Sequence, residues 1–148
     1  HARPAAAVSA LDRDILAERA MVVRRHLTRV AERLPAHASG LVPATDASDA
    51  VILHLWLAVQ VIIDLAVAAC VRWDLGAPAG YADAFRRLAA AGVIHVALAE
   101  RLARAAGFRN VVAHAYDNLD MARVFRAAHD GPRDLTQFLA ALAERLTG

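Results

Sequence analysis

Between Asp49 and Asp64 the chain runs for 14 residues without a formally charged side chain, inside the longer phrase "AVILHLWLAVQVIIDLAVAACV". Nothing else constrains the fold as strongly. A helix this apolar on all sides must be covered by other helices. A membrane span would need roughly 20 apolar residues, and His54, Gln60 and Asp64 would be costly in lipid. The phrase is therefore expected to be the central, most buried helix of a bundle, from Asp46 or Ser48 to about Trp73. Gln60 and Asp64 are four residues apart and share a face. His54 lies roughly 80–120° around the axis from them. These three either satisfy one another and the backbone, or form a buried polar strip facing another subunit or an active site.

The remaining sequence supplies the covering helices. Ser9 to Leu34 reads as a helix, with Ser9 and Asp12 spaced like a capping box and Pro35 as its stop. Its apolar stripe is Leu11, Ile15, Val22, Val23, Leu27, Val30 and Leu34. "AHASGLVPAT" is a linker. "YADAFRRLAAAG" is a short helix ending at Gly92, and "VIHVALAERLARAAG" another ending at Gly107. "DMARVFRAAHDG" follows, then a last helix opening on Pro132. No stretch reads as strand and no repeat stands out. At 148 residues, 58% hydrophobic and 5% aromatic, the chain fits one domain with a single core. The expectation is an all-α antiparallel helical bundle of four main helices with short extra helices, one domain over 1–148, with 1–8 a flexible N-terminus.

Charge and cysteine content exclude several classes. All 17 basic residues are Arg, yet the net charge is only +2, so any nucleic-acid contact must come from local Arg clusters rather than a whole-protein field. Cys70 is the single cysteine, which rules out an internal disulfide and fits a buried small hydrophobe. The first ten residues lack an apolar run after Arg3, so no signal peptide and a cytoplasmic location are expected. There is no zinc-like spacing of His, Cys and carboxylates, no phosphate-cradling Gly loop and no nucleophile elbow. No metal or cofactor is expected.

One passage breaks the aliphatic rhythm, "GFRNVVAHAYDNLD" from Gly107 to Asp120. On a straight helix Arg109 and Tyr116, seven apart, return to nearly one azimuth, while Asn110, His114 and Asp117 stack on a second line. The two lines stand about 140° apart, from Arg109 to His114. Arg109 and His114 therefore reach one site only if the helix distorts or ends at His114, or if a second copy packs across a two-fold axis. Chemically the set is suggestive. An imidazole can give or take a proton near neutral pH, and a guanidinium can hold two phosphate oxygens and stabilise added negative charge. Asn110 or Asp117 could orient the imidazole. Together they suit phosphodiester cleavage by a ribose 2′-hydroxyl.

Arg109, His114 and Tyr116 also match the R-x-x-x-x-H-x-Y motif of the HEPN superfamily. The whole passage resembles its HepT-type branch, as do "RRHLTRVAERLP", "HLWLAVQVIIDLA" and "YADAFRRLAAAGVI", in order from about Asp12 to Leu146. The resemblance implies a HepT-like toxin of a toxin–antitoxin pair: a metal-independent ribonuclease acting on RNA as a homodimer, its motif lining the cleft between protomers. It assigns phosphate binding to Arg109, acid/base catalysis to His114, and support to Asn110. It makes Tyr116 the target of AMP transfer by a partner antitoxin, a minimal nucleotidyltransferase of the MntA type. The other role open to such a fold is a non-catalytic module that docks a nucleotidyltransferase or a nucleotide.

Overall fold

The computed structural model describes residues 10–147. Its five α-helices are α1 (Arg13–Arg33), α2 (Asp46–Arg72), α3 (Tyr81–Ala90), α4 (Val96–Ala115) and α5 (Met121–Thr147), with 3-10 turns at Ala38–Gly40 and Tyr116–Asn118. Among the described residues there is no strand. Four long helices and one short one make the expected all-α bundle.

Pairs across the helices give the directions. His26 of α1 meets His54 of α2, while Ile15, earlier in α1, shares a hollow with Val61 and Asp64, later in α2. Arg109 of α4 reaches Gln60, while Tyr116, just past α4, reaches Asp49, earlier in α2. As one partner's number rises the other's falls, so α1 and α4 both run antiparallel to α2. All four other helices pack on α2.

Local chemistry sets the ends. Asp12 Oδ1 accepts the Ile15 amide at 2.8 Å, so the cap of α1 is Asp12; the capping role expected of Ser9, and the flexibility expected of residues 1–8, lie outside the described residues. Thr45 caps α2 through the Ser48 amide at 3.3 Å, and Trp73 closes it. Beyond α3, Gly92 sits at φ +76°, a left-handed position that suits glycine, and the amides of Gly92 and Val93 bond back to Ala89 and Leu88.

Three expectations need correction. Gly107 does not end a helix: α4 runs through it to Ala115. The buried face Leu98, Leu102, Ala106 and Val112 continues past the glycine, and that packing outweighs a propensity cost of about 1 kcal/mol. Nor does Gly131-Pro132 separate two helices; Pro132 lies inside α5. The ring denies the Ala128 carbonyl its helical partner, but the buried stripe Val124, Ala128, Leu135, Phe138 and Leu142 spans both sides. Finally, α2 is central but not covered all round. Leu55, Ala58, Ile62, Ala66 and Ala69 are buried, whereas Leu53, Val67 and Val71 are 52%, 39% and 63% exposed. Among the described residues α2 is the one helix long and apolar enough to cross a membrane by composition, and half of its apolar window is buried in the bundle. Cys70 is buried, as expected.

Candidate functional site

The exposed apolar stripe of α2 is also where the polar passage docks. At about 100° per residue, Asp49, Leu53, Trp56, Gln60, Asp64, Val67 and Val71 fall on one side of α2. The end of α4 lies along that side. Trp56 Nε1 donates to the Arg109 carbonyl at 3.3 Å, which pins the two helices beside each other.

Arg109 is half-buried and held by neutral groups. Its Nε donates to Gln60 Oε1, its Nη1 leans on Asn110 Oδ1 at 3.4 Å, and its guanidinium carbon stands 5.8 Å from the Trp56 ring centre. Gln60 is itself oriented, donating from Nε2 to Asp64 Oδ1 at 2.9 Å. None of the ion pairs among the described residues involves Arg109. The arrangement fixes the guanidinium without cancelling its charge, which suits an anionic ligand.

His114 is exposed at the end of α4. Asn110 does not hold its ring: Asn110 Nδ2 donates to Tyr81 OH at 2.7 Å, tying α4 to α3. Asp117, exposed in the following turn, makes no side-chain hydrogen bond to the imidazole either. The helix ends at Ala115, where φ is −143° and ψ 36°, so α4 does stop just past His114. The stop redirects Tyr116, not His114. Tyr116 turns back to α2 and donates its hydroxyl to Asp49 Oδ1 at 2.5 Å. That bond, then partial burial and the negative charges of Asp49 and Asp117, push the phenol above the ordinary tyrosine range. Within one protomer, then, Arg109 and Tyr116 lie along α2 and His114 points elsewhere, as their helical spacing requires.

Four site neighbours were not apparent from sequence as such: Asp49, Trp56, Tyr81, and Gln60 as the partner of Arg109. Only Gln60 carried a signal, as a polar residue in an oily helix. Of the alternatives for the polar strip, Gln60 and Asp64 satisfy one another; the strip is not buried, since Asp64 is exposed and Gln60 half-buried. His54 departs from the strip and meets His26 Nδ1 to Nδ1 at 3.0 Å; burial, His54 and Arg25 together lower the His26 pKa. No group of three or more His, Cys, Asp or Glu side chains in metal-binding proximity occurs among the described residues.

Residues 23–142 match the family model for Ribonuclease HepT-like proteins. The chain is 26% identical over 126 residues to the mRNA nuclease HepT of Shewanella oneidensis, covering 85% of this chain and 94% of that relative. It superposes with a TM-score of 0.80 and 24% identity on a toxin–antitoxin crystal structure with AMP-PNP, over 88% of this chain and 98% of that one. A tri-AMPylated Shewanella oneidensis HEPN toxin in complex with an MNT antitoxin gives 0.79 and 25% over the same shares.

Proposed function

The chain belongs to the Ribonuclease HepT-like family, and from that membership we propose that it is the ribonuclease toxin of a toxin–antitoxin pair. Arg109 and His114 carry its chemistry, in a cleft shared by two copies. The observation that carries this reading is the oriented, unneutralised Arg109 beside an exposed apolar stripe on α2.

Leu53, Val67 and Val71 are exposed on the side of α2 that meets Arg109. Pairing two copies across this stripe removes it from water and gathers two Arg109 and two His114 around one cleft. This answers the 140° problem without distorting α4. In that cleft one imidazole takes the proton of the ribose 2′-hydroxyl as its oxygen attacks phosphorus. The P–O5′ bond breaks, and the second imidazole, entering protonated, gives its proton to the leaving oxygen. The products are a 2′,3′-cyclic phosphate and a free 5′-hydroxyl. Arg109 binds the phosphate and stabilises the charge that builds on its non-bridging oxygens. No metal enters this scheme. Asn110 supports the site by coupling Arg109 to Tyr81, and Asp117 adds local negative charge beside Tyr116.

Tyr116 is the acceptor of AMP from a MntA-like minimal nucleotidyltransferase antitoxin. The support is its 44% exposure and the AMPylated state of the structural relative. AMP addition releases Asp49 and sets phosphate charge next to the cleft, where it repels RNA. The test is incubation with ATP, Mg²⁺ and the partner, followed by peptide mass spectrometry and RNA cleavage. AMP on Tyr116 with loss of cleavage supports the reading; AMP on another residue removes Tyr116 from it.

A further inference from the structure

A second arginine cluster lies between α4 and α5, over Leu55 and Val59 of α2. Two hollows of about 400 and 420 Å³ run end to end along the groove between α4 and α5. Arg104 of α4 and Arg123 of α5 line both hollows. Arg101 and Arg126 join them in the first hollow. Three acids, Asp120, Asp130 and Asp134, line the groove too, and each has a partner of its own. Asp134 pairs with Arg101 at 3.0 Å, Asp130 contacts His129 at 2.9 Å, and Asp120 accepts the Ala122 amide at 3.0 Å. Arg104, Arg123 and Arg126 have no ion-pair partner among the described residues.

Phe108, half-buried, lines both hollows as well. Unpaired guanidinium groups beside an aromatic side chain suit a chain that alternates phosphates with flat bases. An acidic protein segment would use the arginines but has no need of the ring. The groove also leads to the right place. Gly107 lines the second hollow and precedes His114 by seven residues, within about 20° of it around α4. The same hollow is lined by Asn118, Leu119 and Asp120, the end of the passage that carries His114. Nothing would meet a Cβ at Gly107 within 4 Å, so the groove is open at Gly107.

We propose that the α4–α5 groove binds the single-stranded RNA flanking the scissile phosphate, with Arg104 and Arg123 on its backbone and Phe108 under a base. This rests on the ribonuclease reading for the identity of the RNA as substrate, but the binding itself is measured without cleavage. The probe is a fluorescent 2′-O-methyl 20-mer, which offers no attacking hydroxyl, titrated by anisotropy across salt concentrations. Arg104→Glu/Arg123→Glu should weaken binding at least about tenfold and flatten the salt dependence by about 1.4 in log–log slope, near 0.7 for each phosphate contact on a single strand. Gly107→Leu, which fills the groove and leaves every charge in place, should weaken it about fivefold. With a cleavable 20-mer the double variant should raise KM and keep kcat, while cleavage of a dinucleotide stays at the wild-type rate.

Unchanged 20-mer affinity and salt slope in both variants would overturn the proposal, whether or not the variants lose affinity for the antitoxin. A protein that binds the 20-mer through these arginines yet cleaves no RNA would leave the groove standing and sink the ribonuclease reading.

Discussion

Replacing Gln60 by Glu changes one neutral acceptor for Arg109 into a carboxylate of the same shape. The Gln60 Oε1 to Arg109 Nε hydrogen bond is kept, so the guanidinium stays in place while its charge is compensated. At about 4 Å and an effective dielectric of about 20, the direct attraction is on the order of 4 kcal/mol. Both groups are partly in solvent, so the net gain in stability is no more than about 1 kcal/mol. Against it stands the loss of the 2.9 Å bond from Gln60 to Asp64, replaced by two carboxylates four residues apart. Stability should therefore move little, by less than about 1 kcal/mol. Catalysis should not be spared, because the same attraction now competes with the phosphate for Arg109. A drop of 10- to 100-fold in kcat/KM corresponds to about 1.4–2.7 kcal/mol of lost transition-state stabilisation. Single-turnover RNA cleavage and thermal unfolding on the same preparation check both halves. Gln60→Leu, which frees Arg109 without neutralising it, should lose less. Wild-type kcat/KM in Gln60→Glu, at unchanged stability, would show that an uncompensated charge on Arg109 is not what the site uses.

Other consequences are as concrete. Leu53→Asp with Val67→Asp should convert a dimer to a monomer in sedimentation velocity with little loss of monomer stability, since both side chains are already exposed; a dimer unchanged in mass would place the interface elsewhere. The Tyr116 phenol is raised chiefly by its bond to Asp49, so the stability it contributes is present below the unfolded tyrosine pKa and is lost as pH rises through the higher folded value. In a Tyr81→Phe background, phenolate absorbance should then appear above the usual tyrosine range, and Asp49→Asn should bring it down. Gly107→Ala removes a flexible residue from the interior of α4, where a Cβ meets nothing within 4 Å. It should stabilise by roughly 0.5–1 kcal/mol, a few degrees in Tm, and a destabilised protein would mean that the helix does not pass through this position.

How much of this was legible in the sequence follows physical lines. The oily run over α2 fixed the class, because a helix with so few charges needs a bundle around it. Helix starts with strong local chemistry were readable to within a residue or two, as at Asp46 and Tyr81. The errors fell at glycine and proline. Gly107 and Gly131-Pro132 carry genuine local breaking signals, but the buried stripes of α4 and α5 run straight across them, and tertiary burial outweighs a local cost of one to a few kcal/mol. At the site, the azimuths of Arg109, His114 and Tyr116 depend only on spacing within one helix, so their divergence was readable. Their partners were not. Gln60 and Asp49 lie 49 and 67 residues from Arg109 and Tyr116, and no local pattern encodes which side chain of α2 meets which residue of α4. The partly open face of α2 was hidden for the opposite reason. An exposed apolar stripe has the same composition as one buried within the chain.

Whether His114 and Arg109 cleave RNA is decided by the single-turnover cleavage rate of His114→Ala beside wild type, both in EDTA. His114 is exposed and makes no side-chain hydrogen bond among the described residues, so its removal should leave the fold and the dimer intact. Wild type should cut in the chelator, leaving 2′,3′-cyclic phosphate ends, and His114→Ala should cut about 10²- to 10⁴-fold more slowly. Equal rates for the two proteins would contradict the account.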